Sequence, residues 1–216
     1  MISVLVWLGT MFESYLLGSI DTGIIVSRHL FGDDVRGHGS GAAGMTNMLR
    51  TFGKKAAAFT AAGDVVKGFC AVMLGMWLFR QGGWAPLYGG YLASLFALLG
   101  HWHPLFFGFR GGKGVLVTAG AILALRPILI PFLAAIFLAS FLPTRMVSLG
   151  SILMAAAYPF LTLAYGIFVK LPAAELAFST AGAFIVGGLV LYMHRANIGR
   201  IRAGTEYRFD GRHKKQ

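Results

Sequence analysis

The chain has 216 residues, 56% of them hydrophobic and only 12% charged. Soluble domains carry about 25% charged residues, so this balance excludes a soluble globular protein, and runs near the ~20 apolar residues of a bilayer-crossing helix point to an integral membrane protein. The net charge of +11 is not a nucleic-acid footprint, because the cations fall in loops between apolar runs, where membrane topology places them.

The chain reads as one bundle over residues 1–216, with no separate soluble domain. The first run, Ile2 to about Leu30, carries Glu13, Asp21 and Arg28. It has no basic region or cleavage site at its start and is expected to be retained as a span. Glu13 and Asp21, eight residues apart, are expected to share a bundle-facing side, either as packing charges or as an ion path. A polar stretch from about Phe31 to Lys55 follows. The second run covers about Ala56 to Phe79 and holds Asp64 and Lys67 at i,i+3. These two form a structural pair, or else Lys67 lines a pocket. Cys70, the single cysteine, lies in this run and excludes a disulfide framework and a cysteine metal cluster.

The third run covers about Pro86 to Leu99, then a short Gly-rich segment runs from His101 to Gly114. His101 and His103 flank Trp102 and are read as interfacial anchors, since a metal would need more ligands; no metal or cofactor is expected. Two short runs, about Val115–Leu125 and Ile128–Phe141, are separated by Arg126-Pro127. They are either two crossings or a re-entrant hairpin. The sixth run covers about Val147 to Val169, the seventh Ala173 to Met193, and a basic tail starts at His194. The expected fold is an all-α bundle of about seven transmembrane helices.

Seven spans divide the loops between two sides. One side receives Arg36, Arg50, Lys54, Lys55, Arg110, Lys113, Arg145 and seven tail cations (Arg195, Arg200, Arg202, Arg208, Arg212, Lys214, Lys215). The other receives Arg80, Arg126 and Lys170. The positive-inside rule then puts the C-terminus in the cytoplasm and the N-terminus outside.

Three polar segments emerge on the cationic side. In the first, HGSGAAGMTNMLR, Gly39, Gly41 and Gly44 permit close backbone approach, Ser40, Thr46 and Asn47 offer donors, and Arg50 can clamp a phosphate. Ser40 or Thr46 as a helix cap is the simpler alternative. In the second, GFRGGKGV, Gly111, Gly112 and Gly114 surround Lys113 ahead of a helix start, which suits an oxyanion. A tight turn with an ordinary cation is the competing reading. The spacing is not that of a nucleotide-binding P-loop. In the third, after His194, Asn197 stands near Arg200, and Glu206 reads as an ion-pair partner of the surrounding arginines.

Taken together, YLLGSI (15–20), VRGHGSGAAGMTNMLRTFGKKA (35–56), DVVKG (64–68), GFRGGKGV (108–115), SLGS (148–151) and HRANIGRIRAGTE (194–206) resemble the bacterial acyl-phosphate:glycerol-3-phosphate acyltransferase family over nearly the whole chain. The resemblance implies seven membrane helices and transfer of an acyl group from acyl phosphate to the 1-hydroxyl of glycerol 3-phosphate. The products would be 1-acylglycerol 3-phosphate (lysophosphatidate) and phosphate. It implies Ser40, Arg50, Lys113, His194 and Asn197 as the working residues and Glu206 in a structural role, beside the structural role that the pairing with Lys67 gives Asp64. Thr46, Asn47, Lys67 and the loop glycines (Gly39, Gly41, Gly111, Gly112, Gly114) would bind substrate. The implied partners are acyl phosphate, glycerol 3-phosphate, membrane lipid and a contact with the acyl-phosphate-producing enzyme, at the cytoplasmic membrane with the site facing inward. Two positions depart from the pattern: Ala42 stands where Asn is usual, and Asp21 where Pro is usual.

An acyl phosphate is already activated, so such an enzyme chiefly has to bring two anions together. His194 is the near-neutral candidate for taking the hydroxyl proton; the donor's own phosphate is the alternative. A small organophosphate transporter is the competing class. It would place polar groups at mid-membrane and on both faces, whereas here they cluster on one.

Overall fold

In the computed structural model, which describes residues 2–209, every regular element is helical. Arg212, Lys214 and Lys215 of the expected basic tail lie outside the described residues. The helices are α1 (Ile2–Gly18), α2 (Thr22–Phe31), α3 (Met45–Gln81), α4 (Pro86–Trp102), α5 (Val115–Leu125), α6 (Leu129–Thr144), α7 (Val147–Phe168), α8 (Ala173–Met193) and α9 (Arg195–Arg202). Among the described residues, four stretches are long and apolar enough to cross a bilayer: Ser3–Phe31, Met45–Gln81, Val147–Phe168 and Ala173–Met193.

Three boundaries differ from the hydropathy pattern, each for a local reason. The first run is broken after Gly18. Ser19 Oγ donates to the Tyr15 carbonyl (2.8 Å), and Asp21 Oδ1 accepts the Ile24 N–H (3.2 Å), capping α2. Glu13 and Asp21 therefore do not share a helix face. Glu13 sits on α1 beside Ser14, whereas Asp21 is fully buried at the break. The second helix begins at Met45 rather than Ala56, and Gly53 interrupts it with φ 84. That left-handed conformation is one glycine adopts without strain. The tail opens with a short helix, α9, which its polar composition did not suggest.

Close backbone packing orders the bundle. Gly68 on α3 faces the Val117 carbonyl of α5, and Gly120 on α5 faces the Val65 carbonyl of α3; a Cβ at either would collide with backbone. Gly75 and Gly89 do the same between α3 and α4. Small residues let membrane helices approach closely where no hydrophobic drive separates lipid from protein. The main core, including Val72, Tyr91, Leu125, Leu133, Tyr158 and Val190, is shared among α3 to α8. A second cluster (Ile24, Val26, Val35, Ala43, Met48, Ala56) lies under the first polar segment and anchors it.

Candidate active site

Residues from all three polar segments line one cavity of about 820 Å³: Ser40, Thr46 and Arg50 from the first, Lys113 and Gly114 from the second, His194 and Asn197 from the third. These polar groups come from loops and helix ends. The remaining walls come largely from the interiors of α5 to α8 and are apolar, with Ile122, Leu133, Phe137, Met154 and Val190 among them.

The first segment is held open by Asn47, on the opening turn of α3. Its Nδ2 donates to the carbonyls of Val35, His38 and Ala42 at 3.0–3.1 Å, and its Oδ1 accepts the Ser40 N–H at 3.1 Å. A side-chain amide has two donor hydrogens, and three carbonyls share them. Asn47 lines the cavity, and its amide is engaged in shaping the loop. Gly39 (φ 54) has no room for a Cβ beside Asn47 Oδ1. Ser40 Oγ and Thr46 Oγ1 have no hydrogen-bond partner among the described residues. Thr46 and Arg50, at i,i+4, project on one side of the helical turn. Ala42 leaves its carbonyl to Asn47 and its methyl on the cavity wall.

The second segment joins the third through Lys113, whose Nζ donates to Asn197 Oδ1 at 2.6 Å. Burial, with the nearby positive charges of Arg200 and Arg50 partly offset by Glu206, pulls the Lys113 ammonium down to about 8. It is still charged at neutral pH. Gly114, with φ 77, stands at the N-terminus of α5 and lines the cavity. Gly41, Gly111 and Gly112 do not line it. Gly111 and Gly112 instead pack on His101, where any Cβ would strike the residue.

Glu206 is the hub of the third segment. Its Oε1 accepts from Asn197 Nδ2 (2.7 Å) and Ser148 Oγ (2.8 Å), and its Oε2 from Arg200 Nε (2.7 Å). Burial raises the Glu206 carboxyl, but the hydrogen bonds from Asn197, Ser148 and Arg200 outweigh it, so the group is held below its ordinary value. The carboxylate orients Asn197, which orients Lys113. Arg50 closes the ring, its guanidinium 3.8 Å from the centre of the Tyr207 ring.

His194 ends α8. Its Nδ1 lies 2.8 Å from the Val190 carbonyl. A carbonyl only accepts, so Nδ1 carries the proton and Nε2 keeps its lone pair. Burial lowers His194 to about 4; the Val190 hydrogen bond opposes it in part, and the Lys113 and Glu206 charges add smaller effects of opposite sign. The imidazole is neutral at physiological pH: a hydrogen-bond acceptor, but a weak base.

Lys67 is not on the cavity wall. It pairs with Asp64 at 2.9 Å, both buried, and Asp64 itself reaches the cavity. Lys67 Nζ also lies 2.9 Å from Nδ1 of His101, which is buried (1% exposed) and so is not the interfacial anchor expected of it. His103 is exposed. Tyr207 and Ser148 are site-forming residues to which sequence reasoning gave no role, and His101 is one to which it gave a different role. Ser148 meets Glu206 across 58 residues of chain and Tyr207 meets Arg50 across a longer stretch, separations that no local pattern spans.

A bundle of apolar helices enclosing a cavity with a cationic rim and hydrocarbon walls defines a membrane protein built for an amphiphilic anion. The chain matches the family model described as glycerol-3-phosphate acyltransferase over residues 8–204, and it belongs to that family of integral membrane acyltransferases. Relatives include the glycerol-3-phosphate acyltransferase of Clostridioides difficile (strain 630), 42% identical over 89% of this chain and 90% of its own. Glycerol-3-phosphate acyltransferase 2 of Moorella thermoacetica is 41% identical over 95% of this chain and 99% of its own. Among solved structures, the glycerol 3-phosphate form of PlsY (YgiH), an integral membrane glycerol 3-phosphate acyltransferase, superposes with a TM-score of 0.78 at 34% identity, covering 94% of this chain and 95% of that one.

Proposed function

We propose that the chain transfers an acyl group from acyl phosphate to the 1-hydroxyl of glycerol 3-phosphate, releasing 1-acylglycerol 3-phosphate and inorganic phosphate. The observation carrying this reading is that Arg50, Lys113, His194 and Asn197 share one cavity with a long apolar wall. PlsY has been crystallised in a glycerol 3-phosphate form and in a lysophosphatidic acid form, the latter superposing with a TM-score of 0.77 at 33% identity. Those molecules match the acceptor and product proposed here.

In this mechanism the acyl chain lies along the α5–α8 wall, with its phosphate at the cationic rim. Arg50, Lys113 and the N–H groups near Gly114 offset the repulsion between two phosphates and stabilise charge on the departing one. The acceptor hydroxyl oxygen attacks the carbonyl carbon, the bond from that carbon to the phosphate-bearing oxygen breaks, and the hydroxyl proton passes to the phosphate. His194 Nε2 accepts a hydrogen bond from the hydroxyl and aims it. Its low basicity and its carbonyl partner, rather than a carboxylate, favour the substrate as the final proton acceptor. Holding the reactants in attack geometry contributes up to about 7–11 kcal/mol.

The chain sits in a bacterial cytoplasmic membrane with the cavity rim facing inward. In this reading α1 and α2 together make one broken crossing, α3 to α8 six more, and α9 lies at the surface. The 11 residues of α5 span only about 16 Å, so its crossing relies on neighbours or a thinned bilayer.

Purified protein with palmitoyl phosphate and glycerol 3-phosphate is expected to release phosphate and form lysophosphatidate, and acyl-CoA is expected to be inert. Lysophosphatidate formed from acyl-CoA alone overturns the donor. No product from either donor overturns the reading.

A further inference from the structure

Beneath the glycine loop lies a buried cluster that the proposed mechanism does not use: Asp21, Asp64, Lys67 and His101, each at most 6% exposed. An ammonium has three N–H donors and no acceptor. Lys67 Nζ is in hydrogen-bond contact with the Ile20 carbonyl at 2.8 Å and His101 Nδ1 at 2.9 Å, and it forms an ion pair with Asp64 Oδ1 at 2.9 Å. These contacts hold Lys67 inside the cluster and off the cavity wall.

The third contact fixes the histidine. A nitrogen facing an ammonium hydrogen must offer a lone pair. The carboxylates of Asp21 and Asp64 lie farther from Nδ1, at 3.7 and 3.9 Å, beyond hydrogen-bond reach. In the neutral ring the proton therefore sits on Nε2. No group among the described residues accepts that Nε2–H. Nε2 faces Gly112, where an added Cβ would collide with it, so only glycine at that position leaves this side of the ring uncovered by a side chain. His101 lines the cavity together with Lys113 and Gly114. Its own carbonyl accepts the Gly112 N–H at 3.2 Å, and the next carbonyl, of Trp102, accepts the Gly111 N–H at 3.2 Å. One residue thus shapes the loop with its backbone and presents a donor under it with its ring.

We propose that His101 is a phosphate-contacting residue of this site: a neutral Nε2–H donor to a phosphate oxygen, with its tautomer and orientation set by Lys67. The donor adds a hydrogen bond without a further charge in a crowded cationic rim. Lys67 is a positioning residue acting through it. This inference rests on the reading of the cavity rim as a phosphate site.

The test uses detergent-solubilised full-length protein labelled with ¹⁵N-histidine. Comparison with His101→Gln identifies the His101 signals among the six histidines. The expected spectrum has Nε2 protonated, and the Nε2 signal moves on saturation with glycerol 3-phosphate or inorganic phosphate. In kinetics, His101→Leu is expected to raise KM for at least one phosphate substrate about ten- to a hundred-fold, and His101→Gln, which keeps an N–H near Nε2, to recover most of the loss. Protonation on Nδ1, an Nε2 signal unmoved by either ligand, or a folded His101→Leu with both KM values unchanged overturns the proposal. If His101→Leu does not fold, the wild-type spectrum decides alone. Lys113→Met separates the two readings. Lost phosphate binding there with an unmoved His101 signal sinks only this inference, whereas unchanged binding in Lys113→Met with an unmoved His101 signal sinks the phosphate site as well.

Discussion

At the scale of single residues, protons decide the chemistry. His194 donates its Nδ1–H to Val190 and sits near 4, so the ring is uncharged across the neutral range. Replacing it with Gln, which can still accept a hydrogen bond, is expected to lower kcat/KM while leaving the pH profile's shape unchanged. A limb that disappears in His194→Gln would reassign the histidine as the base. Lys113 titrates near 8 in the free protein. Its ammonium is present below that value and lost above it, so KM for the phosphate substrates should climb as pH passes about 8. In Lys113→Met, KM should be about ten- to a hundred-fold higher at neutral pH and should lack that climb. Glu206 has the opposite sign. Its folded value lies below the ordinary 4.5, so its contribution to stability is complete above 4.5 and fades as pH falls through the lower folded value. Glu206→Gln should melt lower than wild type at neutral pH, with the gap narrowing in acid, as thermal melts at several pH values will show. Residue identity was legible in the sequence to the extent that chemistry is local. Glycine, lysine and arginine side by side announce an anion. Whether Asn47 meets a ligand or three carbonyls depends on where residues 35–42 fold, and that is not written near position 47.

At the scale of elements, the shortest of the proposed crossing helices is tied to its neighbour backbone to backbone. α5 has 11 residues and is fixed against α3 by Gly68 and Gly120, each facing the other helix's backbone. That contact carries Gly114 and Lys113 to the cavity. Gly120→Leu has no backbone space to occupy and should destabilise by about 1–3 kcal/mol or more. It should also weaken phosphate binding, because the helix start moves with the helix. A thermal melt paired with KM measurements checks both, and an unaltered KM would show that α5 does not position Lys113. The apolar runs themselves were readable: Val115–Leu125 and Ala173–Met193 fall where hydropathy puts them. The breaks were not. Hydropathy averages over a window and passes across Ser19–Asp21, where one carboxylate caps a new helix, and Gly53 reverses the backbone inside a continuous helical pattern. Both breaks are set by single residues whose effect is geometric rather than hydrophobic.

At the scale of the whole molecule, the charge asymmetry and the cavity make one joint claim. The loops holding Arg50, Lys113 and Asn197 are the cation-rich ones, and they surround the same volume. If the positive-inside rule applies, that volume opens to the cytoplasm and the α7–α8 connection faces outward. The natural cysteine, Cys70, is exposed on α3 and is first replaced by Ser. A cysteine is then introduced either at Ala173, exposed at the start of α8, or at Arg110, exposed beside the glycine loop. In intact spheroplasts a membrane-impermeant maleimide should label Ala173→Cys directly and Arg110→Cys only after permeabilisation. Added glycerol 3-phosphate should slow labelling at Arg110→Cys and leave Ala173→Cys alone, because only the first adjoins the cavity rim. Labelling of both positions from the same side would remove a crossing between α5 and α8 and with it the seven-span arrangement. The reverse pattern would leave the fold intact and turn the site outward.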